Sequence, residues 1–379
     1  MFRIKQYIKM LLQNAVLPLV YQCFRHAPVR EGSVIFADAH HGQMPFSMRR
    51  AYEAVSELEE KGKCSVQLFV CDFGKLSFGA MAKCLLRFMR AYATAQYVFI
   101  CDYYLPVAAC KKRKETTVVQ LWHSCGLMKK IAYDTGQDIP KNYRGDMFGN
   151  YSYLTLSAEI CVPVHAQALR MPKERIFATG VSRTDYYFDE AWNEKCRADF
   201  YRRYPQAKGK KIMLWAPTFR GNAAMPRLEG LEAVREAAGE LGDAWYVIIK
   251  AHPHVDAHGM VSNCEIPTEE LLPVTDVLVT DYSSVLFDYL LYEKAAVLFA
   301  PDLQEYENNR GFYLDYRKIP FPLAQTQKEL ADAVREYETW VKVHKEEIHS
   351  FHKKYVGACD GHATQRILEL AGLCEGGKR

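Results

Sequence analysis

Short apolar runs recur along the chain with stretches of helical spacing between them. In the first half these runs occupy residues 34–37, 66–71, 97–101, 116–121 and 153–156, and helical patterns cover 48–61 and 76–95. A polar, basic stretch over 202–211 that contains Pro205 interrupts the series. The runs then resume at 212–215, 245–250, 277–280 and 296–299, with helical patterns over 228–241 and 283–291. Strands alternating with helices predict parallel sheets joined by crossover helices, and the interruption predicts a second α/β unit. Helical patterns over 327–355 and 362–373 supply the ending, and the chain shows neither an internal repeat nor a low-complexity tract.

The N-terminus has a different pattern. Ile4, Tyr7, Ile8, Leu11, Leu12 and Ala15 recur at helical spacing with Arg3, Lys5 and Lys9 beside them. The apolar run over 10–20 is broken by Gln13, Asn14 and Pro18 and falls short of the roughly 20 residues that a spanning helix needs. Two readings stand: a basic amphipathic helix lying in a membrane interface, or a first helix packed on its own domain.

Composition narrows the class. At 379 residues, two domains are expected, and 49% hydrophobic with 25% charged residues describes an ordinary globular chain. The net charge of +4 is too small to suggest a nucleic-acid partner. The 12 cysteines stand singly, without a C-x-x-C pair or a signal peptide before them, as in a reducing cytosol. Disorder is expected only over the tail, 375–379.

Four clusters immediately follow expected strands: Trp122-His123, Ala216-Pro217-Thr218-Phe219-Arg220, Ala251-His252-Pro253-His254 and Asp281-Tyr282-Ser283-Ser284. Open α/β sheets bind ligands outside the carboxyl ends of their strands, so all four fall on the binding side. Around Asp281, Ser283 and Ser284 a strand runs into a helix, with Asp281 or Ser283 as the expected N-cap; this is either an ordinary capped helix or an anion site. His252 and His254 suit phosphate contact or proton exchange. With His258 they also allow a metal, but no carboxylate-rich or cysteine-rich set stands at ligand spacing, and no metal is expected. His40-His41 follows the first strand and reads as paired surface histidines or as part of the same cleft. His123 precedes a glycine turn and two lysines, a combination that suits a general base beside phosphate. A Cys125/His123 nucleophile pair lacks an orienting Asn or Asp. G-x-S-x-G, a P-loop and a first-strand G-x-G-x-x-G are all absent, which removes the usual support for hydrolase, NTPase and hydride-transfer chemistry.

These residues resemble the CDP-glycerol glycerophosphotransferases of teichoic acid synthesis, a family of primases and polymerases. Residues 121–130 resemble its W-H-x-x-G-x-x-K-K element, 215–220 its A-P-T-F-R, and 250–253 its K-x-H-P. The longest match runs over 280–289 and continues into 302–306 and 310–313, with weaker echoes at 180–185 and 360–363. The resemblance implies a GT-B fold of two Rossmann-like domains facing across a cleft, with the acceptor on the first and the CDP donor on the second. The corresponding divisions are 1–30 for a membrane-surface helix, 31–205 for the acceptor domain, 206–345 for the donor domain and 346–379 for the terminal helices and tail.

The resemblance also implies His123 as catalytic base, with His252 in a catalytic and donor-binding role. Ser283, Ser284 and Arg310 are implied as further donor-phosphate contacts; beside them Thr218, Arg220 and Asp281 are candidate donor contacts, and Lys129 and Lys130 candidate acceptor-phosphate contacts. No cofactor is expected. The implied partners are CDP-glycerol or a similar CDP-alditol, an undecaprenyl-diphosphate-linked glycan and the cytoplasmic membrane surface. Many members carry Gly-Thr-Pro where Ser124-Cys125-Gly126 stands and Gly where Ala132 stands, departures that bear on the acceptor and the alditol. The missing long N-terminal extension favours a primase-like or single-addition enzyme. The rival readings are a GT-B glycosyltransferase using a nucleotide sugar and a catalytically inactive membrane-surface module.

Overall fold

The computed structural model describes residues 10–139, 143–222, 225–251, 255 and 261–374. Two compact units divide the chain. The first comprises Met1–His123, Ile131–Asp185 and Ala358–Arg379, and the second comprises Ser124–Lys130 and Tyr186–Gly357.

In the first unit, strands β1 (Ser33–Asp38), β2 (Ser65–Val70), β3 (Tyr97–Ile100), β4 (Thr117–Gln120), β5 (Tyr153–Thr155) and β6 (Ile176–Phe177) form one sheet. Their order is β2-β1-β3-β4-β5-β6 and every pairing is parallel. Parallel strands are covered on both faces, which is why 34–37 reads as an unbroken apolar run. Val34, Phe36, Phe99 and Val119 pack with Met48 and Val55 of the helix Phe46–Glu60 and with Ile367 and Leu368 of the helix Ala363–Ala371.

That last helix therefore belongs to the first unit rather than to a separate terminal division. Asp185 accepts the backbone N–H groups of Ala363 at 2.9 Å and Thr364 at 2.8 Å, which caps the helix. Gly180 (φ +83°) lies so close that a Cβ there would stand 2.5 Å from the Ala358 carbonyl oxygen. The echoes at 180–185 and 360–363 are thus one joint that ties the C-terminal helix down.

The second unit builds a five-stranded parallel sheet from β7 (Lys211–Trp215), β10 (Trp245–Ile249), β11 (Val277–Thr280), β12 (Ala295–Phe299) and β13 (Leu323–Ala324), in the order β10-β7-β11-β12-β13. A two-stranded antiparallel ribbon, β8 (Arg220–Asn222) with β9 (Met225–Arg227), follows β7. In each sheet the first strand in sequence sits beside the second on one side and the third on the other, so the direction of winding reverses there. Ligands favour the crevice at that reversal.

The expected helix over 327–355 is instead three helices, Gln327–Arg335, Tyr337–Val343 and Lys345–Val356, with breaks at Glu336 and His344. At the N-terminus the described helical turns, Leu12–Val16 and Leu17–Gln22, bury Gln13, Leu17 and Tyr21 and expose Leu11 and Leu19. The expected helix residues 4–8, like the tail 375–379, lie outside the described residues, and no described helix is long and apolar enough to cross a membrane.

Candidate active site

The winding of the first sheet reverses between β1 and β3. Asp38 ends β1 with a side chain only 1% exposed. Its Oδ2 accepts the backbone N–H groups of His40 at 2.8 Å and His41 at 2.7 Å, and lies 2.9 Å from His41 Nδ1. Burial pushes the Asp38 carboxyl up, but the His41 side chain and the two N–H groups outweigh it and hold it below its ordinary value. The same hydrogen bond raises the His41 pKa, so this imidazole is biased towards its cationic form.

His123 continues from the neighbouring β4. Trp122 adopts φ +60°, a left-handed turn for a bulky residue, and its N–H donates to Gln120 Oε1 at 3.1 Å. Gln120 Nε2 in turn donates to the Asp102 carbonyl at 3.2 Å, which locks the turn. The bend brings His123 Nδ1 to 3.1 Å from the Cys101 carbonyl oxygen and 4.0 Å from Asp102 Oδ1. A carbonyl only accepts, so Nδ1 is the donor, and in the neutral ring the lone pair therefore lies on Nε2. The side chain is 46% exposed. Its ring stacks on Trp122 at 5.1 Å, and Trp122 meets the buried His165 edge-on at 5.3 Å. Burial lowers the His165 pKa to about 4, so this ring is neutral and its Nδ1–H donates to the Cys161 carbonyl at 2.9 Å.

In the second sheet the reversal lies between β7 and β11, where Thr218, Arg220 and Asp281 come together. Asp281 Oδ1 accepts the Thr218 N–H at 2.8 Å and the Tyr282 N–H at 2.6 Å. Arg220 places Nη2 3.0 Å from Asp281 Oδ2 and 2.9 Å from Asp302 Oδ1, Nε 2.6 Å from Asp302 Oδ2, and Nη1 2.6 Å from the Thr218 carbonyl. The guanidinium lies over the rings of Tyr282 at 4.8 Å and Tyr306 at 5.0 Å, and the Tyr282 hydroxyl donates to Asp302 at 2.9 Å.

Burial pushes the Asp281 carboxyl up against the pull of Arg220, whereas at the less enclosed Asp302 the Arg220 hydrogen bond wins and the carboxyl is lowered. For Arg220, burial acts downward and the two carboxylates outweigh it, so the guanidinium stays charged. Asp281 therefore spends its oxygens on the β7 loop rather than on the expected N-cap. Ser284 is the N-cap of Val285–Leu290 and makes no side-chain cap bond, and Ser283 Oγ accepts the Val285 N–H at 3.4 Å.

The segment Ser124–Lys130, expected in the acceptor domain, is built onto the second unit. Lys129 forms an antiparallel bridge with Phe312, the Lys130 N–H donates to the Gly311 carbonyl at 3.1 Å, and the Tyr313 N–H donates to the Met128 carbonyl at 2.9 Å. Arg310 Nε donates to the Lys130 carbonyl at 3.0 Å, so Lys129, Lys130 and Arg310 share one patch. Of the expected residues, Thr218, Arg220 and Asp281 form one cluster and Ser283 and Ser284 adjoin it. His252 lies outside the described residues. The sequence reading missed Asp38, Asp102 and Asp302 as partners. Asp38 and Asp102 carried a usable signal, since each closes or follows an apolar run.

The chain matches, over residues 19–371, the model of a family described as CDP-Glycerol:Poly(glycerophosphate) glycerophosphotransferase. It is 32% identical to the teichoic acid poly(ribitol-phosphate) polymerase of Bacillus spizizenii, over 94% of this chain but 59% of that protein's length. To the teichoic acid ribitol-phosphate primase of the same organism it is 28% identical, over 90% of this chain and 91% of the relative. Its fold is similar to the structure of the wall teichoic acid polymerase TagF, with a TM-score of 0.74, 21% identity and 98% of each chain covered.

Proposed function

Because the chain belongs to the CDP-glycerol:poly(glycerophosphate) glycerophosphotransferase family, we propose that it transfers an alditol phosphate from a CDP-linked donor to a lipid-linked glycan, releasing CMP. The observation that carries the reading is His123, whose Nδ1–H is committed to the Cys101 carbonyl while the ring stays open to solvent. An acceptor hydroxyl attacks the β-phosphorus, a new P–O bond forms, and the bond to the bridging oxygen breaks with its electrons leaving on CMP. The hydroxyl proton passes to His123 Nε2 and from there to solvent. Charge on the separating diphosphate falls to Arg310, His252 and the Ser283 and Ser284 hydroxyls, with Lys129 and Lys130 holding acceptor phosphate. Arg220 and Asp281, each bound to the other, fix the loops that present Thr218 and the serines. His41, whose pKa the Asp38 hydrogen bond raises, adds a group biased towards positive charge at the reversal in the first sheet.

Glycerol and ribitol are both candidate alditols, the latter favoured by the names of the two relatives. Attachment to the cytoplasmic membrane surface is supported by the exposed Leu11, Leu19 and Phe78 and by a cavity of about 660 Å³ lined in part by His26, Arg30, Arg87 and Arg90.

The test incubates the protein with CDP-glycerol, CDP-ribitol and UDP-sugars, with and without a lipid-linked disaccharide. CMP release from a CDP-alditol that depends on the acceptor is expected. UDP release from a sugar nucleotide in its place would overturn the proposal.

A further inference from the structure

Away from the phosphate chemistry, the second unit gathers one carboxylate and two imidazoles. Glu293 occupies the turn between the helix Val285–Leu290 and β12, with its N–H donating to the Leu290 carbonyl at 2.9 Å. Its φ is +48°, a left-handed conformation that glycine adopts freely and glutamate rarely does. His349 and His352 stand three apart on Lys345–Val356 and therefore share one helix face.

His349 Nδ1 lies 2.8 Å and His352 Nδ1 3.5 Å from the same oxygen, Glu293 Oε1. One donor atom from each of the three residues lies within 4.8 Å of the others. The two ring nitrogens converge on one carboxylate oxygen, which places three ligand-type atoms around a common point. Tetrahedral zinc, with ligands at about 2.0–2.1 Å, sets neighbouring donors about 3.3 Å apart, close to the spacings found here.

We propose that Glu293, His349 and His352 form a binding site for a first-row transition-metal dication, zinc foremost, with a fourth position left to water. The metal would clamp the helix Lys345–Val356 to the turn before β12. That helix also packs Phe351 and Tyr355 against Phe287, at 6.0 and 5.8 Å between ring centres, so the clamp steadies the segment that follows Asp281.

Full-length protein freed of metal with a chelator is titrated with Zn²⁺ by calorimetry and with Co²⁺ by absorption. One equivalent is expected to bind, raising the unfolding temperature and giving cobalt ligand-field bands without a thiolate charge-transfer band. Glu293→Gln, His349→Ala and His352→Ala should each weaken binding by at least about tenfold. Glu293→Gly removes the ligand while relaxing the backbone, so it should lose the metal and keep the fold. Binding unchanged in these variants, or a cobalt spectrum dominated by thiolate, overturns the proposal. Neither outcome depends on the transfer reaction.

Discussion

The two sheets reverse their winding at equivalent places and use them in opposite ways. In the first unit the reversal presents imidazoles: His41 on a buried aspartate and His123 on a backbone carbonyl, each open to solvent by about half. In the second, the side chain of Arg220 is 10% exposed and that of Asp281 4%, and they bind each other, Asp302 and the adjoining loop. One reversal holds groups that can exchange a proton, while the other spends its charges on rigidity. On the proposed function, substrate contact in the second unit would fall to Ser283, Ser284 and the Lys129, Lys130 and Arg310 patch. The same topology thus presents solvent-open imidazoles in one unit and a tightly paired charge cluster in the other.

The largest effect expected from this contrast is on turnover. His123→Ala should lower kcat by about 10²–10⁴ and leave CDP-donor affinity, measured by calorimetry, unchanged. Arg310→Ala should weaken donor affinity and change kcat less. A His123 variant that binds donor poorly would erase the distinction between the units.

Next in size is the scaffold. Arg220→Met leaves the buried Asp281 and Asp302 without their counter-charge and should cost about 3–5 kcal/mol of unfolding free energy in urea titrations. Adding Asp281→Asn to that variant should restore part of the loss, since one uncompensated charge is removed. If Arg220→Met keeps its stability and loses donor binding instead, the guanidinium is a substrate contact and the second reversal resembles the first.

His165 sets a pH signature on the first unit alone. Its folded pKa of about 4 lies below the ordinary 6.5, so the unfolded chain takes up this proton first. Stability contributed by the neutral ring is intact above pH 6.5 and declines as the pH falls to about 4, by about 3 kcal/mol in total. His165→Phe keeps a ring edge against Trp122 and removes the titration. Urea midpoints compared above and below that window should fall less in the variant than in the parent. An equal fall in both would show that the ring does not titrate as its burial requires.

The strands were legible because parallel strands buried on both faces leave apolar runs, as at 34–37 and 277–280. Ile176–Phe177 and Leu323–Ala324 were not, since two residues carry no periodicity. That the motifs follow strands was readable locally. What joins them was not: Arg220 meets Asp302 across 82 positions of sequence. The continuous helical pattern over 327–355 hid two breaks because apolar spacing survives a short interruption. The placement of Ser124–Lys130 was hidden most deeply, since it depends on backbone pairing with residues 311–313 that spacing along the chain does not encode.

That segment yields the smallest of these effects and the sharpest probe of where the units divide. Gly126 has φ +65°, and a Cβ on it would stand 2.3 Å from Phe287 Cδ1, nearer than atoms approach. Both penalties act at once in Gly126→Ala, a left-handed alanine and a ring that must move, for a loss of about 1–3 kcal/mol. Because Phe287 belongs to the second unit, the loss should appear there, as faster amide exchange in Val285–Leu290, with the sheet of the first unit unaffected. Phe287→Leu in the same chain removes the ring edge and should recover the steric share while the backbone share remains. Exchange that rises instead in β4, the strand leading into His123, would return Ser124–Lys130 to the first unit and undo the division on which the contrast rests.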